Sequence, residues 1–88
     1  MELKEAFGVA LRQARLAKGF AQEALAPSQA YVSEVENGRK SPSIEKVDEL
    51  ATVLGIHPVT LFARSYLIDD GDLSDLLERV TRELYELE

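Results

Sequence analysis

The sequence predicts an all-α fold: five short helices followed by one amphipathic C-terminal helix. Two observations predict it. Apolar residues recur at steps of three and four almost throughout, the spacing that lines one face of a helix. No segment alternates apolar and polar residues with the period of two that a half-buried strand needs. With 88 residues, 45% hydrophobic and 30% charged, the chain has material for a single core rather than two domains with separate ones.

Leu3, Phe7, Ala10, Leu11 and Ala14 share one face of a first helix, and Gly19 is placed to close it in the left-handed conformation. A second, short helix spans about Ala21 to Ala26, because Pro27 cannot continue it without losing a backbone hydrogen bond. Ser28 is a good N-cap for a third helix that carries Val32 and Val35 inward and ends at Gly38. Ser41-Pro42-Ser43 forms a turn that doubles as the start of a fourth helix. Its inward residues are Ile44, Val47, Leu50, Ala51 and Leu54, and Gly55 stops it. His57-Pro58 opens a fifth helix through Val59, Leu61 and Phe62. After Asp69-Asp70-Gly71-Asp72, a last helix places Leu73, Leu76, Leu77, Val80, Leu84 and Leu87 on one side. Asp75 with Arg79, and Glu78 with Arg82, are (i, i+4) pairs suited to its exposed face.

The formal charge is −6, which at first sight disfavours a partner as acidic as nucleic acid. Position changes that impression. Residues 1–65 carry eight basic and eight acidic side chains, which cancel. Residues 66–88 hold Arg79 and Arg82 against eight carboxylates, so the whole excess lies in the tail.

Several chemistries are excluded. The absence of Cys removes disulfides, thiolate metal sites and thiol nucleophiles. Gly71 at the sixth position of a calcium loop would put Tyr66 at the first, where a carboxylate is required, so the acidic turn reads as helix capping. His57 is the only histidine and reads as a helix-start residue; no metal site and no cofactor are expected. No Gly-rich phosphate loop and no nucleophile with a partner base appear, so the chain is not expected to be an enzyme. No apolar run approaches the ~18 residues of a membrane span, and Met1 to Glu5 lack the features of a signal peptide. A soluble cytoplasmic protein is the expectation.

A set of short stretches points further. Phe7-Gly8 with Leu11-Arg12 and Arg15 is followed by Gly19-Phe20-Ala21-Gln22-Glu23 and Leu25-Ala26. Then come Tyr31-Val32-Ser33, Val35-Glu36-Asn37-Gly38-Arg39-Lys40, Pro42-Ser43, Leu50-Ala51 and Leu54-Gly55-Ile56. In this order they resemble the Cro/repressor-type (XRE-like) helix-turn-helix over roughly residues 6–63. One departure stands out: between Leu25-Ala26 and Tyr31 the family usually has about eight residues, and here there are four, so about one helical turn (~3.6 residues) is missing. A deletion of that size leaves the remaining side chains roughly in phase.

The resemblance implies a sequence-specific transcriptional regulator, a repressor, acting on double-stranded operator DNA with its third helix in the major groove. By position, Ser28, Gln29, Ala30, Ser33 and Glu34 match the base-reading sites. Gln29 suits an adenine edge, Ala30 a thymine methyl and Glu34 a cytosine amine. Gln22, Asn37, Arg39 and Lys40 match the phosphate anchors. Arg15 and Glu36 match a buried ion pair tying the first helix to the end of the third, through two parallel hydrogen bonds. Read without the resemblance, Gln29 and Glu34 are ordinary helix surface, and Arg39 and Lys40 a solvated loop.

Regulators of this type bind paired half-sites as two-fold homodimers. The leucine face of the last helix is the candidate seam, which divides the chain into a DNA-binding domain, residues 1–65, and a dimerisation element, residues 66–88. An alternative is that the acidic, leucine-rich tail captures a protein partner, as an antitoxin would.

Overall fold

Helix α1 (Leu3–Ala17) starts with the Glu5 carboxylate accepting from the Glu2 backbone N–H at 3.2 Å. It ends where Gly19 turns into the left-handed region and the Phe20 N–H reaches back to the Arg15 carbonyl. In the computed structural model, which describes all of residues 1–88, five more helices follow and there is no strand. They are α2 (Gln22–Leu25), α3 (Gln29–Glu36), α4 (Ile44–Leu54), α5 (Pro58–Leu67) and α6 (Leu73–Glu86).

The predicted start signals act as side-chain caps. Ser28 Oγ accepts from the Tyr31 N–H at 3.2 Å, Ser43 Oγ from Lys46 at 3.1 Å, and Asp72 Oδ1 from Asp75 at 3.1 Å. His57 does the same with a ring nitrogen: its Nδ1 accepts from the Val59 N–H at 3.0 Å, which makes it the cap of α5.

The core joins Phe7 and Leu11 of α1, Leu25 of α2, Val32 and Val35 of α3, Val47, Leu50, Ala51 and Leu54 of α4, and Leu61 of α5. Helix α1 packs across α3 and α5, α2 against α3 and α4, and α4 against α5. Two residues expected inside are outside: Leu3 is 49% and Ile44 79% exposed. Each is the first residue of its helix, so it has the right phase but lies beyond the edge of the core. On α5 only Leu61 and Ser65 are buried; Val59 is exposed, and Phe62, though partly exposed, sets its ring 6.0 Å from that of buried Phe7. The division expected at Ser65 falls inside this helix, which runs on to Leu67.

Helix α6 stands apart: none of its residues is buried, and it packs closely against no other helix. The expected pairs Asp75–Arg79 and Glu78–Arg82 are not formed. Each arginine has a carboxylate four residues away on both sides and takes the C-terminal one, Arg79 with Glu83 at 3.2 Å and Arg82 with Glu86 at 3.8 Å. Exposed pairs of this kind add little stability.

Candidate nucleic-acid interface

The turn between α2 and α3 is abrupt because α2 is one turn long. Ala26 is extended, with φ −153° and ψ 162°, Pro27 follows it, and Ser28 caps α3 at once. Leu25, Val32 and Val35 are nonetheless all buried, so the two helices keep their contact with the core despite the shortened connection.

Gly8 sets the distance between α1 and the end of α3. A Cβ there would lie 2.3 Å from the Val35 carbonyl oxygen and 2.8 Å from that of Glu36. Only a residue without a side chain lets the helices meet this closely, and their approach brings Arg15 to Glu36. The guanidinium grips the carboxylate as a fork, Nε to Oε2 at 2.7 Å and Nη2 to Oε1 at 3.1 Å, while Nη1 donates to the Phe20 carbonyl at 2.8 Å. Both side chains are buried, and the hydrogen bond to Glu36 pushes the Arg15 pKa above its ordinary value.

From this pair a chain of hydrogen bonds runs outward to the surface of α3. Glu36 Oε1 also accepts from Gln22 Nε2 at 3.0 Å, and Gln22 Oε1 accepts from Gln29 Nε2. Gln22 therefore makes one hydrogen bond at each end of its amide. It braces Gln29 against the buried ion pair, an arrangement that side chains 7 and 14 residues apart do not announce in sequence.

The remaining expected residues fall into two groups. Ser28, Gln29 and Ala30 are exposed around the first turn of α3, with Ser33 and Glu34 half-buried one turn further on. At the far end, Gly38 has φ +74°, and a Cβ there would press on Glu5 at 3.0 Å, so the chain reverses through a glycine. The N–H groups of Arg39 and Lys40 both donate to the Glu34 carbonyl, at 2.9 and 3.3 Å. Asn37 Nδ2 donates to Ser33 Oγ at 3.3 Å. Lys40 bends back along α3, with Nζ 3.7 Å from Glu34 Oε1 and 5.7 Å from the centroid of the Tyr31 ring. Arg39 is exposed and pairs with no carboxylate. Tyr31 is half-buried beside Lys40, and desolvation raises its hydroxyl pKa.

Leu73, Leu77, Val80, Leu84 and Leu87 are exposed along α6, and Leu76 is half-buried. Between α6 and the outer side of α5 runs a cleft of about 470 Å³, lined by Val59, Phe62, Ala63 and Tyr66 on one side and Leu76, Leu77 and Val80 on the other. No group of three His, Asp or Glu side chains is placed to hold a metal ion, and no helix is long and apolar enough to cross a membrane.

Residues 6–64 match the helix-turn-helix domain family. Among solved structures, the restriction-modification controller protein C.AhdI from Aeromonas hydrophila is 41% identical, with 65% of this chain and 92% of that one covered and a TM-score of 0.62. Two structures of the clp gene regulator ClgR from Corynebacterium glutamicum are also similar, both with a TM-score of 0.69. One is 34% identical over 75% of this chain and 90% of its own, the other 30% identical over 99% and 90%. No curated protein sequence matches the chain.

Proposed function

We infer that this chain, which belongs to the helix-turn-helix domain family of the Cro/repressor (XRE-like) type and is a DNA-binding transcriptional regulator, works as a homodimeric repressor of operator DNA. The observation that carries this reading is the state of the first turn of α3. Ser28, Gln29 and Ala30 are exposed there, while Gln22, Glu36 and Arg15 brace Gln29 against the core. A braced, solvent-facing turn suits direct readout, because a side chain already held in place loses less freedom on meeting a base edge. In this reading Gln29 pairs with an adenine edge, Ala30 meets a thymine methyl and Glu34 accepts from a cytosine amine, with Ser28 and Ser33 beside them. Asn37, Arg39 and Lys40 hold the phosphate backbone beyond the end of α3, and Gln22 supports it from α2 while positioning Gln29.

The dimer seam in this reading is the leucine face of α6, so that residues 66–88 pair two copies of the DNA-binding domain. Six apolar side chains on one face, none of them buried in its own chain, support the assignment. A seam built from the tail also keeps its carboxylates away from DNA and leaves residues 1–65, neutral overall, to face it. The reading gives the chain no catalytic role and places it in the cytoplasm.

The exposed leucines equally favour a second reading, in which the tail captures a protein partner as an antitoxin does. Titration of DNA from upstream of the chain's own gene separates the two. Nanomolar, salt-sensitive binding with a footprint over two related half-sites supports the repressor. Micromolar binding indifferent to sequence supports the interaction module.

A further inference from the structure

We propose that Glu34 determines specificity by withholding Lys40 from phosphate until a cytosine amine engages the Glu34 carboxylate, which makes one ionic contact conditional on the correct base. The proposal rests on the DNA-binding reading above.

The geometry separates two adjacent cations. The reversal at Gly38 pins the backbone of both Arg39 and Lys40 to the Glu34 carbonyl, yet their side chains part. Arg39 pairs with no carboxylate and is free to meet phosphate on any sequence. Lys40 lies against α3 with its ammonium 3.7 Å from Glu34 Oε1 and 5.7 Å from the Tyr31 ring. One residue thus carries a carboxylate at a base-reading position and the countercharge of a phosphate anchor. Guanine and thymine present only acceptors to such a carboxylate, N7 and O6 of guanine and O4 of thymine, and the N6 amine of adenine sits beside its N7 acceptor, which repels it. Against these, Glu34 has no better partner than Lys40, and the pair stays closed. Cytosine alone presents an amine with no acceptor beside it on the same base; once that amine occupies the carboxylate, Lys40 is freed to reach a phosphate oxygen. An acidic protein gains from this arrangement because its attraction to wrong sequences, which is chiefly electrostatic, is held down by one charge.

The test is a double-mutant cycle with the full chain, using wild type, Glu34→Gln, Lys40→Ala and the double variant, titrated against a random-sequence duplex over a range of salt. With Lys40 present, Glu34→Gln is expected to tighten binding roughly two- to five-fold, the factor that an exposed ion pair of this kind is worth. It should also steepen the dependence of log K on log salt by up to about 0.9, one added phosphate contact. In the Lys40→Ala background the same substitution should leave the slope alone. Equal changes in both backgrounds would mean that Glu34 only repels DNA, and would overturn the proposal, as would no change with Lys40 present. Absence of salt-dependent binding in all four proteins would overturn the DNA-binding reading itself. On sequences selected from random DNA, Glu34→Gln should lose discrimination at one base pair in each half-site; retained discrimination at every position overturns the role of cytosine.

Discussion

Removing the Glu36 carboxylate should unfold this domain more readily than any surface change. The side chain is 3% exposed and accepts three hydrogen bonds, two from Arg15 and one from Gln22. In Glu36→Ala the Arg15 guanidinium, itself 10% exposed, keeps only the Phe20 carbonyl as a partner. Breaking a buried pair in this way costs about 3–5 kcal/mol, because a charge is left desolvated and uncompensated. A domain of this size is stable by roughly 4–13 kcal/mol at ~0.05–0.15 kcal/mol per residue, so much of the total is lost. At ~4–8 °C per kcal/mol the melting temperature should fall by at least ~12 °C. Replacing both partners by apolar residues, Arg15→Met with Glu36→Leu, should cost much less, since no charge remains buried. Urea and thermal unfolding followed by circular dichroism measure all three proteins. A loss below about 1 kcal/mol in Glu36→Ala would place the pair with exposed salt bridges and refute the reasoning.

Three further outcomes follow from the same geometry. Gly8→Ala puts a methyl group 2.3 Å from the Val35 carbonyl, so α1 and α3 must part, with an expected loss of about 1–3 kcal/mol in urea unfolding; unchanged stability would show that the approach is not required. Leu77→Glu with Leu84→Glu, both exposed, should leave the fold intact by circular dichroism but yield a monomer in sedimentation, with DNA binding weakened; a persisting dimer would move the seam elsewhere. Arg39→Ala with Lys40→Ala should weaken binding to the preferred site and flatten its salt slope by about 1 for each lost contact. An unchanged slope removes both from the interface.

What was legible in the sequence was local. Ser28, Ser43, His57 and Asp72 announce helix starts because a cap bonds a backbone group only a few residues away, and each performs that task. Gly19, Gly38 and Gly55 end helices for the same reason of short range. The apolar period places Val32, Val35, Val47 and Leu50 inside, where they lie, but period alone cannot say where a core stops, so it places the exposed Leu3 and Ile44 inside as well. The Arg15–Glu36 pair spans 21 residues and was visible only through resemblance. The return of Lys40 to Glu34 depends on the reversal at Gly38, while the link from Glu36 through Gln22 to Gln29 depends on how close α1, α2 and α3 come together. That distance is set by Gly8 and the Pro27 turn acting jointly, and no single stretch encodes it.

The claim that two copies read DNA through α3 is tested most directly by selecting bound sequences from a random duplex pool with the full chain. The account predicts an enriched, two-fold symmetric pair of half-sites whose centres lie about 10 bp apart, one helical turn, or a multiple of it. Gln29→Ala should abolish the preference at one base pair of each half-site. A pool that converges on no sequence, or on a single unpaired half-site, would contradict it.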